Sequence, residues 1–186
     1  MANTRQWRRF RPNRMELLSI GGALIAIPLY LAVLYVLDGR AETYFENLRG
    51  EDTELYLTQL RESRGFSAYV DEYRDILGYD SVKEAAPSFL VGRWTMRPEP
   101  LRLTPGTPPG HCIDPITFDY GIVLMAQGGA GAFEAGYRIE GQKVQIESPG
   151  DRSFAVDLVS YGARLDHLEF QPPGRDEPVF AYNCTG

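Results

Sequence analysis

Residues 17–37 read LLSIGGALIAIPLYLAVLYVL, twenty-one consecutive residues without a charge. At about 1.5 Å per residue, a helix of this length spans roughly 31 Å, close to the hydrocarbon thickness of a bilayer. The run predicts a single transmembrane helix over residues 15–38. On its N-terminal side, a tail of residues 1–14 carries Arg5, Arg8, Arg9, Arg11 and Arg14 and no acidic residue. On the other side stand Asp38, Arg40, Glu42 and Glu46, a mixed and mostly acidic set. This bias predicts a cytoplasmic N-terminus and an exported C-terminal bulk, as in a single-pass protein of the inner membrane with a periplasmic domain. A cleaved signal peptide fits less well. Its apolar core runs about 7–15 residues and ends in a small-residue site, whereas residues 35–39 read YVLDG.

Within the run, Gly22 and Ala26 are four apart, as are Ser19 and Ala23. Small residues at that spacing let a second helix approach closely, so these four form the candidate helix–helix contact. Pro28 leaves the carbonyl of Leu24 without its helical partner, which predicts a modest kink. Type IV pilins share the layout of an apolar helix followed by a β domain. The glycine their processing needs is missing here, because Asn13-Arg14 precedes Met15.

Residues 1–37 hold five of the 19 basic and one of the 25 acidic residues, leaving 14 against 24, a net charge of −10 on the exported part. Such a domain is repelled by phosphate backbones, so nucleic acid is not an expected partner. Other membrane-protein subunits and the lipid bilayer are. The two cysteines, Cys112 and Cys184, both lie beyond the membrane run. In an oxidising compartment two cysteines pair, so a disulfide is expected. His111 beside Cys112, with His167 as the other histidine, lacks the close ligand spacing of a zinc motif, and no metal is expected. Asn183-Cys184-Thr185 matches a glycosylation sequon, whose middle residue the expected disulfide would engage.

Residues 39–86 read as a short helical connector. Tyr44, Phe45 and Leu48 share a face before Gly50 breaks the run, and Asp52 or Thr53 is placed to cap a second helix carrying Leu55, Tyr56 and Leu60. Ser67 is placed to cap a third, with Tyr69, Val70, Tyr73, Ile76 and Leu77 on one side and Gly78 as its stop. Asp71, Glu72 and Asp75 fall mostly on the opposite, solvated face. Tyr44, Tyr56, Tyr69 and Tyr73 are the candidate partner-binding face, although tyrosines at helical spacing also serve as core. From residue 87 to 186 the period shortens to that of an all-β domain. Candidate strands lie at 89–96, 116–120, 122–127, 132–140, 142–147, 154–160, 165–170 and 179–184, with tight turns at Glu140-Gly141 and at Ser148-Pro-Gly-Asp151. Residues 98–110, PEPLRLTPGTPPG, hold five prolines and must form a loop or edge. About eight short strands joined by hairpins predict a small antiparallel barrel or sandwich. The fold class is thus one transmembrane helix, a helical connector and an all-β C-terminal domain.

Phe89-Leu-Val-Gly92-Arg-Trp94 resembles the G-x-W start of lipocalin-like domains, in which the tryptophan closes one end of the barrel. The cadence that follows is similar: Cys112, ITFDYG, Tyr137-Arg-Ile-Glu-Gly141, Leu165-Asp-His-Leu168 and VFAYNC. Over residues 88–184 the resemblance implies a small barrel closed by Gly92 and Trp94, with a cysteine pair joining the first loop to the last strand. It departs from the lipocalin pattern in that first loop, which is proline-rich. In a barrel of about 100 residues, side chains would fill the interior.

Motifs of catalysis are absent: there is no G-x-S-x-G, H-E-x-x-H, P-loop, C-x-x-C or C-x-x-C-H. The patch Gln127-Gly-Gly-Ala-Gly-Ala132 lacks the Lys-Ser/Thr pair of a phosphate loop and reads as a turn. Asp166-His167 would need both side chains on one face, and strand neighbours point to opposite faces. No cofactor and no enzymatic activity are expected. The expected function is that of an accessory or assembly subunit of an inner-membrane complex. The alternative is a membrane-tethered lipocalin-like module for a small apolar ligand or peptide, and a third reading is an envelope scaffold.

Overall fold

The computed structural model describes residues 14–104, 107–126, 131–150 and 152–185, with side chains from residue 24 onward. The basic tail before residue 14 and most of the glycine-rich patch, residues 127–130, lie outside the described residues. The chain forms two compact units, Met1–Asp52 and Thr53–Gly186.

The first unit is helix α1, Arg14–Glu51, which continues through Pro28. Among the described residues it is the one helix long and apolar enough to cross a membrane, by length and composition. Residues 24–44 are all exposed, including Leu24, Ile25, Leu29 and Leu31. Gly50 does not break the helix as the sequence suggests. Glycine weakens a helix interior by only about 1 kcal/mol, and α1 runs on to Glu51, where the Asp52 amide donates to the Leu48 carbonyl at 2.9 Å.

The second unit begins with α2, Thr53–Arg64, and α3, Phe66–Leu77. Helix α3 stops at Gly78 in the left-handed region (φ 71°), as the sequence indicates. Its start differs from the expected Ser67 cap. Gly65 occupies the N-cap with φ 89° and offers no side-chain cap. A neighbouring turn supplies the acceptor instead, because the Phe66 amide donates to the Gly162 carbonyl at 2.8 Å.

Nine antiparallel strands follow: β1 (Gly92–Arg97), β2 (Pro115–Asp119), β3 (Ile122–Met125), β4 (Gly131–Glu134), β5 (Gly136–Glu140), β6 (Lys143–Glu147), β7 (Phe154–Tyr161), β8 (Arg164–Phe170) and β9 (Val179–Asn183). Their order, β4-β3-β2-β1-β9-β8-β7-β6-β5, describes two meanders joined by the β1–β9 pair. The sheet curls into a nearly closed barrel. Where the sequence suggests one strand over 132–140, the structure has two, divided at Ala135. The N-terminal half pairs with β3 at one edge and the C-terminal half with β6 at the other, so one extended stretch serves both edges.

Alternation along the strands fills the interior. Trp94, Ile116, Phe118, Val123, Tyr137, Ile139, Val144, Ile146, Val156 and Leu168 are each 2% exposed or less. Tyr137 also crosses the seam between β4 and β5, its hydroxyl lying 2.9 Å from the Asp119 carbonyl and 3.0 Å from that of Ile122. Burial pushes this phenol up to about 12; the backbone hydrogen bond to Asp119 opposes that rise and the Asp119 charge adds to it.

Residues 79–86 cover the open edge of β5. Lys83 and Tyr137 exchange amide–carbonyl hydrogen bonds of 2.9 and 2.7 Å, the Ile139 amide donates to the Tyr79 carbonyl, and the Gly121 amide donates to that of Glu84. Pairing an edge in this way removes a template for aggregation. The close approach depends on Gly136, where an added Cβ would stand 2.4 Å from Val82 Cγ1. Gly136→Ala should therefore destabilise the domain by about 1–3 kcal/mol through overpacking. Adding Val82→Ala in the same chain should restore most of that loss, as read by urea midpoints of the single and double variants. Equal midpoints for the single and double variants would contradict the contact.

Candidate functional site

Of the small residues expected to meet another helix, Ala26 is exposed on α1. Ser19, Gly22 and Ala23 lie in the same helix, and their side chains are outside the described residues. Pro28 and Tyr30 continue the exposed surface.

The four candidate tyrosines separate. Tyr44 is half exposed, whereas Tyr56, Tyr69 and Tyr73 are 8%, 7% and 6% exposed. Phe89 is the hub that takes the last two inward: its ring lies 5.5 Å from Phe66, 6.0 Å from Tyr69 and 5.4 Å from Tyr73. Such edge-to-face pairs favour a fixed geometry. Tyr73 also stacks on Tyr79 and accepts a 3.0 Å hydrogen bond from the Ser88 amide. Burial raises the phenols of Tyr69 and Tyr79 above their ordinary range. These rings bind α3 to residues 79–90, and of the four only Tyr44 is exposed.

Gly92 opens β1 with φ 122°, and Trp94 is 2% exposed. The indole of Trp94 donates to the Leu90 carbonyl at 2.8 Å, and Leu90 is fully buried. Beside Trp94 lies a groove of about 450 Å³. Its walls include Arg61 of α2, Phe66 and Phe89, Leu165 and Asp166 of β8, and Tyr182 of β9. The Arg61 guanidinium sits 5.7 Å from the centre of the Tyr69 ring.

The disulfide is formed: Cys112 and Cys184 are bonded, with Cα atoms 5.5 Å apart. It is one of several ties that hold the proline-rich stretch and the residues just after it against the outer face of the sheet. Thr95 donates to the Ile113 carbonyl and accepts from the Ile113 amide, and Asp114 pairs with Arg175. The Tyr182 hydroxyl accepts from the Leu101 amide at 2.8 Å. These contacts account for Thr95 and Tyr182 being 0% and 3% exposed although they face away from the barrel interior.

Asp166 and His167 depart from the expected alternation. The β7–β8 register pairs Ser160 with Leu165 and Val159 with His167, which leaves Asp166 as the extra residue of a bulge. A bulge re-aims its side chain. The Asp166 carboxylate consequently lies 2.8 Å from His167 Nδ1, while Glu169 Oε1 lies 3.0 Å from Nε2. The imidazole stacks on Tyr182 with ring centres 5.3 Å apart. A bulge carries no strong mark in the sequence, so the cluster is invisible to a period-two reading.

Among the described residues no three histidine, cysteine or acidic side chains are placed to hold a metal. Comparison with protein families, with curated proteins and with solved structures finds no match to this chain.

Proposed function

We propose that this chain is a non-catalytic single-pass membrane protein, an accessory or assembly subunit of an inner-membrane complex, with its N-terminus in the cytoplasm and its barrel in the periplasm. The observation that carries this reading is the combination of a bilayer-length apolar helix with a barrel filled by its own side chains. A filled barrel leaves surface, rather than an interior cavity, as its means of interaction. The arginine bias of the tail supports the orientation, and the disulfide fits an oxidising compartment. A tagged full chain extracted in mild detergent should bring down other membrane subunits in fixed stoichiometry, and fewer of them when Gly22 and Ala26 are both changed to leucine. Recovery as a lone chain in several gentle detergents would overturn the reading.

A lipocalin-like binding module is the second reading, and the groove beside Trp94 favours it. At about 450 Å³ it falls in the size range of small-molecule sites, which begins near 300 Å³. Trp94, Asp166 and Tyr182 are among its walls. A small molecule retained by the purified chain in native mass spectrometry would shift the balance to this reading.

A further inference from the structure

His167 is held between two carboxylates, with both ring nitrogens engaged. A neutral imidazole has one N–H donor and one acceptor, whereas an imidazolium has two donors. Carboxylates at 2.8 Å from Nδ1 and 3.0 Å from Nε2 therefore match the imidazolium, and the neutral ring leaves one nitrogen lone pair facing an oxygen. The ring is largely covered, the His167 side chain being 13% exposed, while Asp166 and Glu169 keep 28% and 45% of theirs exposed.

Arg61, Glu62 and Arg164 stand in the same groove as Asp166, and the two carboxylates are the charged groups in hydrogen-bond contact with the ring. From β9, Phe180 and Tyr182 lie against the ring. From β7, Val159 stands opposite His167, and Asp157, opposite Glu169, is engaged by Lys143 at 2.7 Å. The proline-rich stretch brings the Leu101 backbone to the Tyr182 hydroxyl, and its Arg102 is exposed. The Tyr182 phenol is raised above its ordinary range, first by burial and further by the Asp166 and Glu169 charges, so it remains a neutral hydrogen-bonding group near neutral pH.

We propose that His167 is a pH-responsive clasp for the proline-rich stretch. As the imidazolium it bridges Asp166 and Glu169 and holds the Tyr182 ring where its hydroxyl pins Leu101. As the neutral imidazole it loses one carboxylate, the Tyr182 ring gains freedom, and the pin at Leu101 loosens. Because Asp166 and Tyr182 also line the groove, the same proton alters the groove wall. The clasp is closed where the ring carries its second proton and opens where that proton is lost. This inference does not depend on the proposed subunit role.

The test uses the ¹⁵N-labelled full chain in detergent micelles, with the His167 ring nitrogens and the Leu101 amide followed by NMR from pH 5 to 8.5. The expected result is a doubly protonated ring at low pH and a Leu101 shift that tracks its deprotonation. Glu169→Gln supplies an amide donor to Nε2, so a neutral ring satisfies both contacts. In that variant the Leu101 amide should hold its acid-side position across the whole range. His167→Gln should also abolish the pH response, and the His111→Gln chain should retain it. A Leu101 amide that ignores the His167 titration, or that responds equally in Glu169→Gln, would overturn the proposal.

Discussion

Trp94→Ala is expected to lower the unfolding free energy of the β domain by about 3–5 kcal/mol, the usual loss for truncating a buried aromatic. The indole is 2% exposed, packs on the fully buried Leu90, and satisfies the Leu90 carbonyl through its N–H. Alanine removes the plug and leaves that carbonyl without its donor. Trp94→Phe keeps most of the apolar volume and removes only the hydrogen bond, so a loss of about 1–2 kcal/mol is expected. A small domain has roughly 5–15 kcal/mol in all, so the alanine variant should stand near the edge of folding. Urea unfolding of the full chain in detergent, followed by near-ultraviolet circular dichroism, measures both. Equal midpoints for wild type and Trp94→Ala would contradict a stabilising role for the buried indole.

Loss of the disulfide should have an effect of similar size. Cys112 and Cys184 are separated by 72 positions in sequence. The chain-entropy treatment gives about 4 kcal/mol for a loop of that length. Cys112 follows the proline-rich stretch by two residues and Cys184 directly follows β9, where its amide donates to the Arg93 carbonyl at 2.9 Å. The bond therefore ties that stretch to the β1–β9 pair. The double variant Cys112→Ser, Cys184→Ser should match wild type treated with reductant. Its midpoint should be insensitive to reductant, whereas that of the wild type should fall. A difference between oxidised wild type and the double variant below about 1 kcal/mol would mean that the unfolded state gains little freedom when the loop opens.

The parts of the fold that were legible in the sequence follow from period and composition. The apolar run of α1 and the stop at Gly78 each rest on local chemistry that tertiary packing did not override. The pairing of Cys112 with Cys184 required only that two thiols meet in an oxidising place. What was not legible depends on contacts made at a distance. Ser67 yields the start of α3 to Phe66 because the Gly162 carbonyl accepts the first amide. Residues 89–91 leave the expected first strand because Leu90 and Val91 turn back onto the Pro87 carbonyl. The break at Ala135 exists only because the two edges of the sheet come round to the same stretch. At the candidate site, Trp94 was found through a local motif. The His167 cluster was missed, since an inserted residue shifts side-chain direction without changing local hydrophobicity. Tyr56, Tyr69 and Tyr73 had the spacing of either a surface or a core, and Phe89, distant in sequence, drew two of them inward.

The order β4-β3-β2-β1-β9-β8-β7-β6-β5 also dictates a sequence of events during folding. Each meander consists of neighbours in the chain and can assemble early, whereas β1 must wait for β9, more than eighty residues later. Contacts of such long separation slow the final step. During that wait two half-barrels expose the unpaired edges of β1 and, once synthesised, β9, the condition that exposes an intermediate to aggregation. Synthesis delivers β9, the latest of the nine strands, to the middle of the sheet, so a nascent chain cannot complete its barrel until Asn183 has emerged.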